Sequence, residues 1–251
     1  MNQTIKTLLE HRTIRAYKET PVDPAMLDTI FEVGMRTATS NGMQTSSIIH
    51  VTDAHIKEEI ATICGQKYVA SAPVLLIFLV DAFRNDQIAK SKGEVHDSAS
   101  DLDRFTQGMT DGSLMAQNMV VAAESLGLGT TYLGSILNNI PKLVELLKLP
   151  PLTFPIVGLL IGHPNQEPQL KPRMNKTFRV FENHYKVLDN YAESFAQYDE
   201  EMQTYYDLRN ANQRVDSFSN QVVAKLKAAS PVRQEVLTDI ANQGFTLTYK
   251  K

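Results

Sequence analysis

The sequence predicts a mixed fold of α-helices and β-strands, organised as one core followed by a C-terminal extension. Three observations lead there. Runs of strand character at 47–52, 73–80, 130–133 and 154–161 are separated by stretches whose apolar residues recur at helical spacing. One of these runs, Pro73 to Val80, is continuously apolar, as expected of a strand covered on both faces. After Gly162 the composition changes: Pro164, Pro168 and Pro172 stand four residues apart and favour a stiff, extended crossing.

In chain order, residues 2–11 read as a helix with Ile5, Leu8 and Leu9 on one face. Asp23-Pro24 supplies an N-cap and a proline at the first helical position, starting a helix that runs to about Thr37. Ser47 to Thr52 follows as a strand, and Asp53 caps a helix to about Cys64. The charged stretch from Asp81 to Asp103 reads as helix and loop near solvent. Met115, Met119, Ala122 and Leu126 then mark a largely buried helix. A helix from Pro141 to Leu149 separates the last two strands, and Pro150-Pro151 stops it. From Asn183 onward the chain is polar, tyrosine-rich and helical in pattern. It has too few apolar runs for a core of its own, so it is expected to lie on the body or on a partner subunit. Residues 1–165 are thus expected to form the core, and 166–251 a crossing and wrapping extension of the same structural domain.

Composition narrows the function. Across 251 residues, 43% are hydrophobic and 21% charged, enough for a substantial core. A net charge of −3 gives no strong pull towards nucleic acid or anionic lipid. The longest apolar run is too short to cross a bilayer, and Met1 to Lys6 lacks the apolar centre of a secretion signal. One cysteine, Cys64, allows no internal disulfide, and a cytoplasmic location is expected. The six histidines lack metal-ligand spacing, so no metal is expected. GxxxxGK[ST], GxSxG and HExxH are absent, and Gly127-Leu128-Gly129 follows a helix rather than a strand, which argues against a Rossmann site.

What remains is basic. His11-Arg12-Thr13-Ile14-Arg15 and Lys171-Pro172-Arg173 crowd cations into two short segments far apart in the chain. Guanidinium forks suit a phosphate, and a fixed ammonium suits an electron-poor ring whose charge grows on reduction. Read alone, the first cluster is equally a solvated basic helix end followed by a turn.

The order of the motifs favours the functional reading. His11-Arg12-Thr13-Ile14-Arg15-Ala16-Tyr17 resembles the HR(S/T)xRxY opening of the nitroreductase-like flavoproteins. Thr39-Ser40-Asn41-Gly42-Met43-Gln44 is similar to their SSxNxQ segment. Gly65-Gln66-Lys67-Tyr68-Val69, Tyr132-Leu133-Gly134-Ser135-Ile136 and Ile161-Gly162-His163-Pro164 fall in register, and Lys171-Pro172-Arg173 matches the KPR of the larger, NADPH-preferring branch.

The resemblance implies an α+β nitroreductase-type fold, a mostly antiparallel central sheet flanked by helices, in an intertwined homodimer with FMN at the subunit interface. It implies non-covalent FMN held by His11, Arg12, Thr13, Arg15 and Arg173 at the phosphate and ribityl end. Ser40 and Gln44 would meet ribityl hydroxyls and the ring edge. Gln66, Lys67, Tyr68, Leu133 and Gly134 would lie beside the ring, with Lys171 near the pyrimidine as electrostatic support. No residue would be catalytic beyond FMN itself. Arg209 and Arg214, in a segment resembling the family's YYxxR loop, would recognise the extra phosphate of NADPH. The implied reaction is two-electron, ping-pong reduction of nitroaromatics, quinones, azo compounds or flavins by NADPH. A dedicated NADPH:free-flavin reductase and a non-catalytic flavin-binding sensor or carrier are the alternatives.

Three departures stand out: Phe218 where relatives carry tryptophan, Lys67 where an uncharged residue is common, and Asn175 where proline often follows the KPR segment. The spacing of Tyr191, Tyr198 and Tyr205 marks a helix face, and acidic neighbours Asp199, Glu200 and Glu201 oppose a nucleic acid.

Overall fold

Asn2 opens the chain's first helix by accepting the Ile5 amide, giving α1 (Gln3–Leu9), none of whose residues is buried. The computed structural model describes residues 1–207, 213–228 and 230–247. The caps read from sequence form as expected: Asp23 accepts from the Ala25 amide with Pro24 leading α2 (Pro24–Met35). After β1 (Ser46–Val51), Asp53 accepts from the Ile56 amide at the start of α3 (Ala54–Cys64), and left-handed Gly65 closes that helix. A short α4 (Tyr68–Ser71) leads into β2 (Val74–Asp81) and α5 (Phe83–Ser91). Asp101 caps the long α6 (Leu102–Ser125), followed by β3 (Gly129–Leu133), a 3-10 turn at Gly134–Asn138, α7 (Ile140–Leu146) and β4 (Thr153–Gly162).

The four strands pair antiparallel in the order β1-β2-β4-β3, so the first hairpin-like pair is extended by a crossover. Every residue of β2 is buried. Its side chains alternate between two cores, as a pleated strand requires. Leu76, Phe78 and Val80 pack with Ile30, Met115 and Met119 from α2 and α6. Leu75, Ile77 and Leu79 pack with Ile60, Ile136 and Leu143 on the opposite face. Each such side chain contributes about 1.5–3 kcal/mol of burial. Pro155 sits in β4 where the register against β2 shifts between Phe78 and Leu79, the kind of irregularity that admits a proline into a sheet interior.

The chain divides into two compact units, Met1–Gln166 together with the chain from Pro231, and Glu167–Ser230. The second contains α8 (Tyr191–Thr204), the short pair β5 (Tyr206–Asp207) and β6 (Gln213–Arg214), and α9 (Phe218–Lys227). Half-buried aromatic rings meet in it: Phe195 stacks on Phe178 at 4.5 Å and on Phe218 at 5.9 Å, and Tyr198 meets Phe218 at 5.2 Å. The chain then returns through α10 (Pro231–Gln234) and α11 (Val236–Asn242) to the first unit. There Phe245 packs edge-on to Phe105 at 5.0 Å, and the Leu152 amide donates to the Gln243 carbonyl.

Candidate functional site

The basic N-terminal segment is sewn to the outer edge of the sheet. The Ile14 amide donates to the Thr130 carbonyl at 2.8 Å, and Thr13 bridges Thr130 in parallel. This close approach depends on Gly129, where a Cβ would lie 2.6 Å from the Ile14 side chain. Tyr17 donates to the Ile14 carbonyl at 2.6 Å, and Thr131 donates to the same oxygen. Burial pushes the Tyr17 hydroxyl well above the usual phenol range, so it remains a donor at any physiological pH. Ile14 is buried, which leaves its neighbours Thr13 and Arg15 on the other face of this extended stretch.

Glu124, in the last turn of α6, anchors the segment. One carboxylate oxygen takes His11 Nδ1 at 2.7 Å and the Thr130 hydroxyl at 2.6 Å. The two arginines are left without a countercharge: among the described residues neither Arg12 nor Arg15 forms an ion pair. Arg12 reaches the Glu10 carbonyl with Nη1 at 2.9 Å, but its Nε is buried with no partner. An unmet buried guanidinium donor costs roughly 1–3 kcal/mol, which an anionic ligand would recover.

At the far end of β3 a second group assembles. Tyr68 donates to Gln66 Oε1 at 2.8 Å, and Ser135 to the same oxygen at 3.3 Å, so residues 66–68 stand beside the Leu133–Ser135 turn. Arg233, which sequence reasoning missed, holds that turn from behind. Its Nη2 donates to the Gly134 carbonyl at 2.5 Å and to Asn138 Oδ1 at 3.0 Å. Tyr17 lies near both Arg15 and Tyr68 and so links the two groups. Lys67 and Gln66 also line an open hollow of about 490 Å³ with Glu58, Ala61 and Ala70. Cys64 is buried under this region, and burial pushes its thiol up, away from reactivity.

Ser40 and Gln44 stand elsewhere. Their loop is fastened to the middle of α6 by Asp111, which is 1% exposed. Its two oxygens accept the Ser40 amide at 2.8 Å, the Thr45 amide at 3.3 Å and the Thr45 hydroxyl at 3.1 Å. Arg84 donates to the Gln44 carbonyl, and Asn85 to the Met43 carbonyl at 2.9 Å. At 1.5 Å per residue, Asp111 and Glu124 are about 20 Å apart along α6. Within one chain, then, the 40–44 loop and the 11–15 segment are not in contact.

Asp111 was also missed from sequence. The available signal was Gly108 and Gly112, four apart beside it. A Cβ on Gly108 would meet the Thr45 carbonyl at 2.7 Å, and one on Gly112 would collide with Ile156, so this face of α6 is built for close approach.

In the second unit, Arg173 Nη1 donates to the Lys171 and Pro172 carbonyls at 3.1 and 3.3 Å, and the Lys171 ammonium lies 5.9 Å from the centre of the Tyr205 ring. Arg209 lies outside the described residues, and Arg214 is described by its backbone alone, paired with Tyr206. Among the described residues no cluster of His, Cys, Asp or Glu could hold a metal ion, and no helix is long and apolar enough to cross a membrane.

Two family models match the chain: the nitroreductase family over residues 8–163, and the nitroreductase family C-terminal domain over residues 171–248. The chain belongs to the nitroreductase family. An NADPH-flavin oxidoreductase of Vibrio harveyi is 36% identical over 98% of this chain and 99% of its own length. An oxygen-insensitive NADPH nitroreductase of Salmonella typhimurium is 39% identical over 88% of this chain and 90% of its own. Nitroreductase A from Vibrio parahaemolyticus superposes with a TM-score of 0.88 at 35% identity, covering 99% of this chain and all of that one. The all-antiparallel sheet and its flanking helices are therefore the nitroreductase fold expected from the motifs.

Proposed function

We propose that this nitroreductase-family chain is an FMN-dependent oxidoreductase that draws electrons from NADPH. It delivers them in pairs, by a ping-pong sequence, to nitroaromatics, quinones, azo compounds or free flavin. The observation that carries the reading is the half-buried Arg12–Arg15 pair. No carboxylate neutralises it among the described residues, and Arg12 Nε waits buried for an acceptor. A phosphate monoester supplies that acceptor, with charge-assisted bonds shorter and stronger than neutral ones. The names of the two relatives, an NADPH-flavin oxidoreductase and an NADPH nitroreductase, support the donor and the acceptor classes.

When bound, FMN supplies the two-electron carrier between donor and acceptor. The chain supplies position and charge. His11, Arg12, Arg15 and Arg173 hold the phosphate and ribityl end, with the Thr13 hydroxyl beside them. Gln66, Lys67 and Tyr68 flank the ring, and the Leu133–Gly134 backbone, braced by Arg233, presents its N–H groups to it. Lys171 stabilises negative charge on the pyrimidine edge. Ser40 and Gln44 hydrogen-bond the ribityl hydroxyls and the ring edge. Arg209 and Arg214 grip the extra phosphate of NADPH. A proton for the reduced acceptor comes from solvent, and no side chain is needed as general acid.

The working unit in this reading is a cytoplasmic homodimer. Its support is the separation of about 20 Å along α6 between the 40–44 loop and the 11–15 segment, which a second copy would overcome by contributing its own loop. The exposed Ile5, Leu8 and Leu9 on α1 add an apolar face for a partner.

An absorbance spectrum of the purified protein, taken before and after anaerobic NADPH, tests the reading. Flavin bands that bleach with NADPH and recover on adding a quinone are the expected result; a colourless protein that FMN cannot reconstitute sinks it. One relative's name favours free flavin as acceptor, and the ratio of kcat/KM for FMN over a nitroaromatic decides that point.

A further inference from the structure

His11 differs from the other basic residues of its segment. Arg12 and Arg15 are cations at any physiological pH, whereas an imidazole exists in a charged form and two neutral tautomers. The fold selects among these through one ring nitrogen. His11 Nδ1 lies 2.7 Å from Glu124 Oε1, and the Thr130 hydroxyl donates to that same oxygen at 2.6 Å. A carboxylate offers only lone pairs, so Nδ1 must carry a hydrogen there. Nε2, on the far side of the ring, is the nitrogen left for a ligand. Among the described residues no group takes it, and the His11 side chain is 31% exposed.

This has a consequence for an anion. In the neutral ring with its hydrogen on Nδ1, Nε2 is an acceptor and meets a phosphate oxygen lone pair to lone pair. Only the imidazolium, protonated on both nitrogens, donates from Nε2 while Glu124 keeps the other N–H, and such a charge-assisted bond is the strong kind. Had Nδ1 faced a donor, the neutral ring would hold its hydrogen on Nε2 and serve a phosphate without an added proton. Glu124 forbids that form.

We infer that Glu124 is a positioning residue that makes phosphate binding at His11 conditional on proton uptake. A proton from solvent goes to Nε2 as the FMN phosphate docks, and the new N–H bonds a phosphate oxygen. The inference rests on the FMN reading given above, and it assigns His11 to the phosphate and not to a ribityl hydroxyl, which would donate to a neutral Nε2. The other charged or titratable groups on the elements around His11 are Lys6 on α1, Glu10, Arg12, Arg15 and Tyr17 on its own stretch, and Tyr132 on β3. Burial pushes both tyrosines well above the usual phenol range, and the arginines stay charged. Lysine and glutamate side chains ordinarily titrate outside the range from about pH 7.5 to 9, and a phosphate monoester is a dianion throughout it.

The test is FMN binding to the flavin-free protein, followed by flavin fluorescence across that range, with calorimetry at about pH 8 in two buffers of different ionisation enthalpy to count protons. Because binding takes up a proton, affinity falls as pH rises, by up to about tenfold per unit. The unmodified protein is expected to take up about 0.5–1 proton per FMN, and its Kd to rise about threefold to tenfold per pH unit. His11→Gln keeps a hydrogen-bonding side chain that does not titrate, and removes both effects. Glu124→Gln lets a side-chain amide donate to Nδ1, so the neutral ring can hold its hydrogen on Nε2. The pH slope is then expected to fall by about half or more, which mere loosening of the segment would not produce.

FMN that binds without proton uptake overturns the inference while leaving FMN binding by the arginines standing. An undiminished slope in His11→Gln or in Glu124→Gln overturns it too, since the proton then belongs elsewhere or Glu124 does not direct it. If the variants do not fold, nitrogen NMR of the His11 ring in the unmodified protein decides at the upper end of the pH range. A hydrogen on Nδ1 alone before FMN and on both nitrogens after it is expected, and any other pattern sinks the assignment. A protein that binds no FMN at any pH overturns the FMN reading and this inference together.

Discussion

Two irregular segments, 11–15 and 40–45, are held to the same helix by two acids and are held very differently. Asp111 is sealed from water and satisfied by two backbone amides and a hydroxyl, all neutral donors. Glu124 has a side chain 12% exposed and is satisfied by an ionisable ring and a hydroxyl. The first arrangement fixes backbone shape. The second ties down His11 and Thr130 and commits its charge there, leaving Arg12 and Arg15 unneutralised beside it. The acids of α6 thus stabilise loop geometry without consuming the cations proposed to take the FMN phosphate.

The comparison breaks first at Asp111. Replacing it with alanine strands three donors in a dry site, and a loss of about 3–5 kcal/mol in unfolding free energy is expected, since hydrogen bonds to a charged group are worth about 1.5–3 kcal/mol each. Urea unfolding measures this; a loss below 1 kcal/mol would mean that water reaches the site and the loop is not set by Asp111.

Next come the unneutralised arginines. Arg15→Ala should weaken FMN binding by roughly 1.5–3 kcal/mol, read by quenching of flavin fluorescence. Arg12→Ala should weaken it similarly, yet change the stability of the flavin-free protein by less than about 1 kcal/mol, because the lost Nε–H was already unpartnered. If Arg12→Ala destabilises the free protein as much as it weakens FMN binding, the side chain is a structural one.

Glu124→Gln sharpens the contrast with Asp111. One of its two partners lies closer to water, the His11 side chain being 31% exposed, and glutamine can still accept a hydrogen bond. A stability loss of about 1 kcal/mol is expected, well below that at Asp111. Equal losses at the two sites would remove the distinction drawn between them.

These residues also mark what the sequence could tell. The strands, the caps at Asp23 and Asp53, and the doubly covered β2 follow from local pattern, and the structure has them where the pattern put them. The basic segment was legible because its motif is contiguous. Asp111, Glu124 and Arg233 were not, because each has a decisive partner 66 to 113 positions away in the chain. An acid inside a helix, with no periodic signal of its own, reads as an ordinary solvated residue until its partners are known. The aromatic cluster of the second unit was hidden for a related reason: Phe178, Phe195, Tyr198 and Phe218 are isolated in sequence and meet only in space.

The smallest predicted effect lies at Gln44 and concerns why its loop is clasped so firmly. Asn41 and Gln44 both take left-handed backbone conformations, with φ of 52° and 50°. For a residue with a Cβ this costs on the order of 1 kcal/mol, somewhat less for asparagine. Arg84 reaches the Gln44 backbone carbonyl, not its side chain, so that bond survives any substitution there. Gln44→Gly should therefore relieve strain, offset in part by the greater freedom glycine gives the unfolded chain, for a net change in stability of no more than about 0.5 kcal/mol in either direction. On the proposed role of Gln44, FMN retention should nevertheless fall, because the side-chain amide is gone. Melting curves and flavin titrations on the same preparations separate the two quantities. A Gln44→Gly protein that keeps its flavin and gains more than 1 kcal/mol would mean that the left-handed glutamine is strain without a purpose, and that the clasp at 40–45 serves the fold alone.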